Sequence, residues 1–230
     1  MKYFIDTEFT EGPHTSIFGY RHHAIQLVSI GIVAEDGREY YAINDKYNPR
    51  LSNDFVKNHV IPNLNEPFLV RDNWEVVCDL GSYLGSIKTI SEIKTDINQF
   101  ICPFDKASEY AGAGSIDEGF VGYLTENPPE FYGYYSDYDW VVFCSIYGSM
   151  VNLPKPFPKY CRDLKQMIDD AAELIRQIGI GTHSEGNKSY PKNPLQFLKS
   201  MNTYPKESYK HNALLDARWN KELYKFIKSL

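Results

Sequence analysis

The sequence predicts an α/β fold, a mixed β-sheet flanked by helices, and three observations carry that expectation. From Lys2 to Ile43 the chain is rich in β-branched and aromatic runs separated by turn signals. After Ile90, apolar stripes recur at helical spacing. Between those stripes stand short runs of strand character, so strands come first and then alternate with helices.

The first strand is Lys2-Tyr3-Phe4-Ile5-Asp6-Thr7-Glu8-Phe9. Side chains alternate faces along it, so Asp6 and Glu8 point one way while Ile5, Thr7 and Phe9 point the other. Pro13 to His23 reads as a Gly-, Pro- and His-bearing loop. Gln26 to Ala34 is a second strand, Asp36-Gly37 a tight turn and Glu39 to Ile43 its partner, which together give a three-strand antiparallel meander. Ser52 to His59 is read as a short helix closed by Pro62. Ile90, Ile93, Ile97, Phe100 and Ile101 mark a helix stopped at Pro103. Residues 104–129 turn to Gly, Ala, Ser and acid without a clean period and are expected to be an inserted loop. Phe131 to Tyr135 is a short strand. Asp139 to Met150 is apolar nearly all round, and its length favours a buried helix over a strand. Leu164, Met167, Ile168, Ala171, Ile175 and Ile178 form a helical stripe ending at Gly179. Residues 181–194 read as another insertion, and a last helix starts near Ala213.

With 43% hydrophobic and 15% aromatic residues, a chain of 230 can bury a sizeable core, and one domain spanning 1–230 with inserted loops near 13–23, 104–129 and 181–194 is expected. No run of about 18 apolar residues is present, and acids at Asp6, Glu8 and Glu11 interrupt any signal-peptide core, so a cytoplasmic protein without membrane contact is expected. The cysteines, Cys78, Cys102, Cys144 and Cys161, lie too far apart to suggest zinc or a disulfide framework. Net charge is −6, which argues against a general electrostatic grip on nucleic acid. Its distribution is uneven: residues 188–230 carry nine basic side chains against three acids, a pattern that fits either a polyanion-facing surface or an ordinary lysine-rich helix exterior.

Chemistry concentrates in two stretches. Asp6 and Glu8 share one strand face, and their repulsion can be relieved by water, a shared proton or a divalent cation. Near the C-terminus stands His211-Asn212-Ala213-Leu214-Leu215-Asp216. Five residues along a helix turn through about 500°, so His211 and Asp216 cannot share a helical face. Asn212, a favoured N-cap, starts the helix after the histidine and leaves His211 on a loop beside a fixed Asp216. A fourth acid is offered by Asp137 or Asp139 at the start of the apolar helix, where a carboxylate also gains from the helix dipole. Arg162 and Asp163 either brace the site or cap the helix that follows. His14, His22, His23, His59 and His183 have no partner pattern.

Asp6, Glu8, Asp139, His211 and Asp216, in this order, resemble the DEDDh group of 3′-5′ exonucleases. The resemblance is nearest to the small bacterial and phage exoribonucleases, through Tyr3-Phe4-Ile5-Asp6-Thr7-Glu8-Phe9, the strand pair from Leu27 to Ala42, Tyr138-Asp139-Trp140, Arg162-Asp163-Leu164 and His211 to Arg218. It spans nearly the whole chain. It implies a ribonuclease-H-like fold with a mixed five-stranded sheet, the meander plus two short strands, and the site at the end of the first strand. It implies two divalent cations, Mg²⁺ or Mn²⁺, held by Asp6, Glu8, Asp139 and Asp216, with Asp139 preferred as ligand and Asp137 as cap. His211 is the implied proton acceptor, and nucleoside 5′-monophosphates the product. Thr7, Phe9 and Trp140 are the residues expected to meet the substrate, with core packing the competing role for Trp140. Single-stranded or 3′-overhang nucleic acid is the implied partner, RNA ahead of DNA, and homodimers are common in the group. Rival readings are a DNA exonuclease of the same fold, a silent nucleic-acid-binding module and an endonuclease of the ribonuclease H type.

Overall fold

Alternation along the first strand divides the molecule into two layers. In the computed structural model, which describes residues 1–15, 19–65, 69–72, 75–78, 80–178, 183–184, 187–188, 193–206 and 211–230, β1 (Lys2–Thr15), β2 (Arg21–Ala34) and β3 (Glu39–Asn44) form the antiparallel meander. A π-helical turn, Val56–Val60, and a 3₁₀ turn, Ile61–Asn63, follow. Next come a small separate hairpin, β4 (Leu69–Asp72) with β5 (Glu75–Cys78), then α1 (Leu80–Gly85), β6 (Ile87–Lys88) and α2 (Ile90–Ile101). The chain continues through α3 (Phe104–Ala111), α4 (Ile116–Glu126), β7 (Glu130–Gly133), α5 (Asp137–Ile146), β8 (Arg162–Asp163) and α6 (Leu164–Ile178). A two-stranded pair, β9 (His183–Ser184) and β10 (Asn187–Lys188), precedes α7 (Pro194–Ser200) and α8 (Ala213–Ser229).

The main sheet runs β6-β3-β2-β1-β7-β8. β1 is antiparallel to β2 and parallel to β7, so the sheet is mixed and compatible with the ribonuclease-H-like architecture. The expected five strands are all there, and β6 adds a sixth at the outer edge of β3. Tyr3 and Ile5 point into a core shared with Ile93, Ile97 and Phe143 of α2 and α5. Phe4 points the other way, into a core shared with Leu164, Ile168, Leu223 and Phe226 of α6 and α8. Asp6 and Glu8 therefore lie on the α8 side of the sheet, and Thr7 on the α5 side.

Two expectations are corrected. Residues 104–129 are two packed helices, not a loop. Their small residues serve contact: a Cβ at Gly119 would fall 1.8 Å from the carbonyl oxygen of Ala107, so the absence of a side chain is what lets α4 lie on α3. The Ser115–Glu118 capping box that starts α4 was a legible signal. Residues 13–15 and 21–23 are strand, because β1 and β2 stay paired from Thr15 and Arg21 inward. Of the insertion expected at 181–194, β9, β10 and the first residues leading into α7 are described, and the rest lies outside the described residues. Among the described residues, no helix is long and apolar enough to cross a membrane.

Candidate active site

The site is built where α8 comes down on the meander. Gly31 stands opposite Asp6 in the β1–β2 register. A Cβ there would lie 2.2 Å from the carbonyl oxygen of Ala213 and 2.4 Å from the nitrogen of Leu214, so the glycine admits the helix start directly onto the sheet. Asn212 caps that start, its Oδ1 accepting from the N–H groups of Leu214 and Leu215. Its amide group donates to the carbonyl of Asn63 and to the Tyr41 hydroxyl, which fixes the cap to β3 and to the segment after it. About two turns along, the Asn220 amide donates to the carbonyl of Ile5, immediately before Asp6. The Asn212 N–H donates to Asp216 Oδ2 at 3.1 Å and sets that carboxylate. The result is that Asp6, Glu8 and Asp216 each offer an oxygen, all within 4.8 Å of one another.

Asp139 arrives from the opposite layer, on the first turn of α5. β7 pairs with β1 only from Lys2 to Phe4, so the N–H groups farther along that edge need another acceptor. Asp139 supplies it. Its Oδ1 accepts from the Thr7 N–H at 2.9 Å and the Thr7 hydroxyl at 2.6 Å. That reach around the edge keeps Asp139 near the other acids but outside the three-acid group. Thr7, expected to touch substrate, is buried and has its hydroxyl and amide both on Asp139. Asp137 does not cap α5 as expected. It is exposed at the first helical position, and Ser136 occupies the cap position without a side-chain cap bond. Asp163 does the bracing instead: Oδ2 accepts from the Ser136 N–H, while Oδ1 accepts from the N–H groups of Lys165 and Gln166 and caps α6. It is both brace and cap.

Electrostatics mark these acids as a set. Burial pushes the Asp6 carboxyl well above the usual carboxylate range, and the charges of Asp139, Glu8 and Asp216 push it further. Glu8 is pushed up to about 8, first by burial and then by Asp216 and Asp139. Asp139 rises to about 6 through burial, opposed by its two hydrogen bonds from Thr7. Among the described residues, the charges acting on Asp6 and Glu8 are those of other acids. Such a cluster binds protons at neutral pH or exchanges them for cations.

His211 stands apart from the three-acid group. Its φ of 46° lies in the left-handed region, a strained conformation for a side-chain-bearing residue and one that recurs at functional sites. Its ring meets Phe55 edge-on with centroids 4.8 Å apart and lies 6.2 Å from the ring of His59. His59 thus belongs to an aromatic cluster beside the helix cap. Trp140 takes the core-packing role of its two expected ones. Its indole is stacked on Phe143 at 5.0 Å and packed on Phe131 at 5.3 Å, and at 8% exposure it presents no ring face to a base. Phe9 is half-buried, and one of its faces is covered by the parallel ring of Tyr138 at 5.5 Å.

No family model matches the chain. Two proteins named 3′-5′ exoribonuclease, from two strains of Mycobacterium tuberculosis, are each 31% identical over 170 residues, covering 74% of this chain and 75% of theirs. The chain belongs to the 3′-5′ exoribonuclease family. For this exoribonuclease-family chain the acid cluster is the candidate catalytic centre, and among the described residues its carboxylates Asp6, Glu8 and Asp216 are ones legible in the sequence. Sequence reasoning had missed Gly31, which a glycine inside a β-branched strand could have signalled. It had also missed Tyr138, Phe55 and His59, whose roles depend on what they face. The basic C-terminal surface resolves in part into local pairs: Arg218 is bidentate to Glu39, Lys225 pairs with Glu222, and Lys221 donates to the carbonyl of Ala34.

Proposed function

We propose that this exoribonuclease-family chain is a metal-dependent 3′-5′ exoribonuclease that releases nucleoside 5′-monophosphates from single-stranded or overhanging RNA ends. The observation that carries the reading is the convergence of the half-buried Asp6, Glu8 and Asp216 within 4.8 Å, where the charges that raise the carboxyls of Asp6 and Glu8 are those of other acids. RNA is favoured over DNA by the names of the mycobacterial relatives.

The donor set fits two Mg²⁺ or Mn²⁺ ions. It is all carboxylate oxygen, which hard cations prefer, and opposite charge removes the repulsion that burial intensifies. When bound, a pair of divalent cations neutralises the phosphate, activates a water and stabilises the leaving oxyanion. The residues divide the remaining work. Asp6 and Glu8 from β1 and Asp216 from the start of α8 would hold the cations, with Asp139 beside them, its Oδ1 held by the Thr7 N–H and hydroxyl. His211, on the loop before α8, takes the proton from the attacking water, and the 3′-hydroxyl of the penultimate nucleotide departs.

The test uses end-labelled RNA and DNA of one sequence, with Mn²⁺ or with chelator. A ladder of shortening RNA that chelator abolishes, together with an inactive Asp6→Ala variant, is the expected result. Turnover that persists in chelator or in Asp6→Ala overturns the reading. A circular substrate is the control for internal cleavage, and its cutting would turn the assignment to an endonuclease.

A further inference from the structure

The acids of the site are not held alike. Asp139 accepts from the Thr7 N–H and hydroxyl, and Asp216 accepts from the Asn212 N–H. Among the described residues, burial and neighbouring acids act on the Glu8 carboxyl and no hydrogen bond does. Directly across the β1–β2 ladder from Glu8 stands Ser29. It is 0% exposed, and among the described residues its hydroxyl has no partner either. A buried hydroxyl left unpaired costs folding stability, which an alanine of nearly the same shape would avoid. The two side chains share a face. Gly31, two residues from Ser29, faces the start of α8, so alternation puts Ser29 on that side with Asp6 and Glu8. A β-bulge sets this aim: register passes from Glu8 and Ser29 to Phe9 and Leu27, which makes Val28 the extra residue of β2. Leu27 and Ile30, three positions apart, can therefore both face the α2–α5 core, while Val28 packs with Ile43, Val56 and Val60.

We infer that Ser29 is a positioning residue whose hydroxyl donates to the Glu8 carboxylate when Glu8 holds a cation. This deepens the metal-dependent reading and rests on it. Residues directly opposed in an antiparallel pair have Cβ atoms about 4.5–5.5 Å apart, and the Glu8 side chain is two carbons longer than its Cβ, so rotation brings a carboxylate oxygen to the Ser29 Oγ. One Glu8 oxygen is offered to the three-acid group, which leaves the other to accept from a donor. A glutamate has one more rotatable bond than an aspartate and swings more freely. The hydroxyl from β2 would fix its carboxylate as Thr7 fixes Asp139, with a charge-assisted hydrogen bond.

The experiment measures Mn²⁺ binding by calorimetry, beside a thermal melt in chelator, for wild type, Ser29→Ala, Ser29→Cys and Thr10→Val. Ser29→Ala should weaken Mn²⁺ binding about 10-fold, the loss of one hydrogen bond to a charged group. Its melt in chelator should stay level or rise, because an unpaired hydroxyl is gone. A melt lowered together with the affinity would mark a structural role and overturn the inference. Cysteine fills the same space with a weak donor, so Ser29→Cys should lose affinity nearly as alanine does; wild-type affinity there would reduce the role to packing. Thr10 is the next residue on that face of β1, fully buried and, among the described residues, likewise without a hydroxyl partner. It is offset along the strand from Glu8, and Thr10→Val should bind Mn²⁺ as wild type does; an equal loss there overturns the pairing of Ser29 with Glu8. Turnover of single-stranded RNA by Ser29→Ala should fall at subsaturating Mn²⁺ and recover at saturating Mn²⁺, with KM for RNA unchanged. Wild-type Mn²⁺ affinity in Ser29→Ala overturns the inference and leaves the metal-dependent reading standing. Wild-type protein that binds no Mn²⁺ and degrades RNA in chelator overturns both.

Discussion

Gly31→Ala tests how closely the fold and the acid cluster depend on one contact. The added Cβ would lie 2.2, 2.3 and 2.4 Å from the Ala213 oxygen, the Ala213 carbonyl carbon and the Leu214 nitrogen. Carbon needs roughly 3.4 Å from such backbone atoms, so the start of α8 must retreat by about 1 Å or β2 must bend away. The helix is not free to slide as a whole, because Asn220 ties it to Ile5 and Asn212 ties its cap to Asn63. Strain of this kind costs about 1–3 kcal/mol, and each kcal/mol lowers Tm by roughly 2–4 °C in a chain of this size. Asp216 moves with the helix start, so its distance to Asp6 and Glu8 changes by a similar fraction of an ångström to an ångström. A misplacement on the order of 1 Å in a catalytic site costs about 10²-fold in rate. The measurement is kcat/KM on end-labelled RNA in Mn²⁺ beside a thermal melt. Gly85→Ala, at a position where a Cβ meets nothing within 4 Å, serves as the control and should match wild type in both. A Gly31→Ala protein with wild-type kcat/KM and an unchanged melt would refute the claim that α8 docks through this glycine.

Thr7→Val keeps the N–H bond to Asp139 and removes the hydroxyl, a bond to a buried carboxylate worth about 1.5–3 kcal/mol. We expect weaker Mn²⁺ binding by calorimetry and restoration by Thr7→Ser; failure of serine to restore it would count against an orienting role. His211→Ala should lower kcat by about 10²–10⁴-fold while Mn²⁺ affinity is retained. Phe55→Ala, which removes the ring edge packed on His211, should produce a smaller loss in kcat of the same kind. Equal loss of metal affinity in His211→Ala and Asp216→Ala would make the histidine a ligand instead. The raised Glu8 carboxyl predicts an unusual pH response in chelator. Because its folded value, about 8, lies above its ordinary 4.5, the proton it holds favours the folded state at low pH, and that advantage is lost as pH rises through about 8. The stability of wild type relative to Glu8→Gln should therefore fall from pH 4.5 to 8 without metal. Saturating Mn²⁺ should reverse the sign of that difference at pH 8; a difference that rises with pH in chelator contradicts the assignment.

Much of this molecule is fixed by local chemistry. Alternation in β1 put Asp6 and Glu8 on one face, the Asn212 cap began α8 after His211, and the isoleucine stripe from Ile90 to Ile101 made α2. Each of these depends on residues within a few positions of one another, so the sequence alone determined them. Where reasoning failed, the deciding partner was distant. Residues 104–129 looked like a loop because glycine and alanine carry no periodic apolar signal, yet Gly119 is the contact that packs α4 on α3. Trp140 and Tyr138 are near neighbours on one helix, and nothing local says which ring is buried; the position of Phe131 and Phe143 on one side and Phe9 on the other decides it. The same is true of Thr7, whose amide needs Asp139 only because β7 leaves β1 at Phe4. A carboxylate can be recognised in a sequence, but its environment is made by chain segments more than a hundred residues away, and only the tertiary structure brings Asp6, Asp139 and Asp216 close enough for their charges to act on one another.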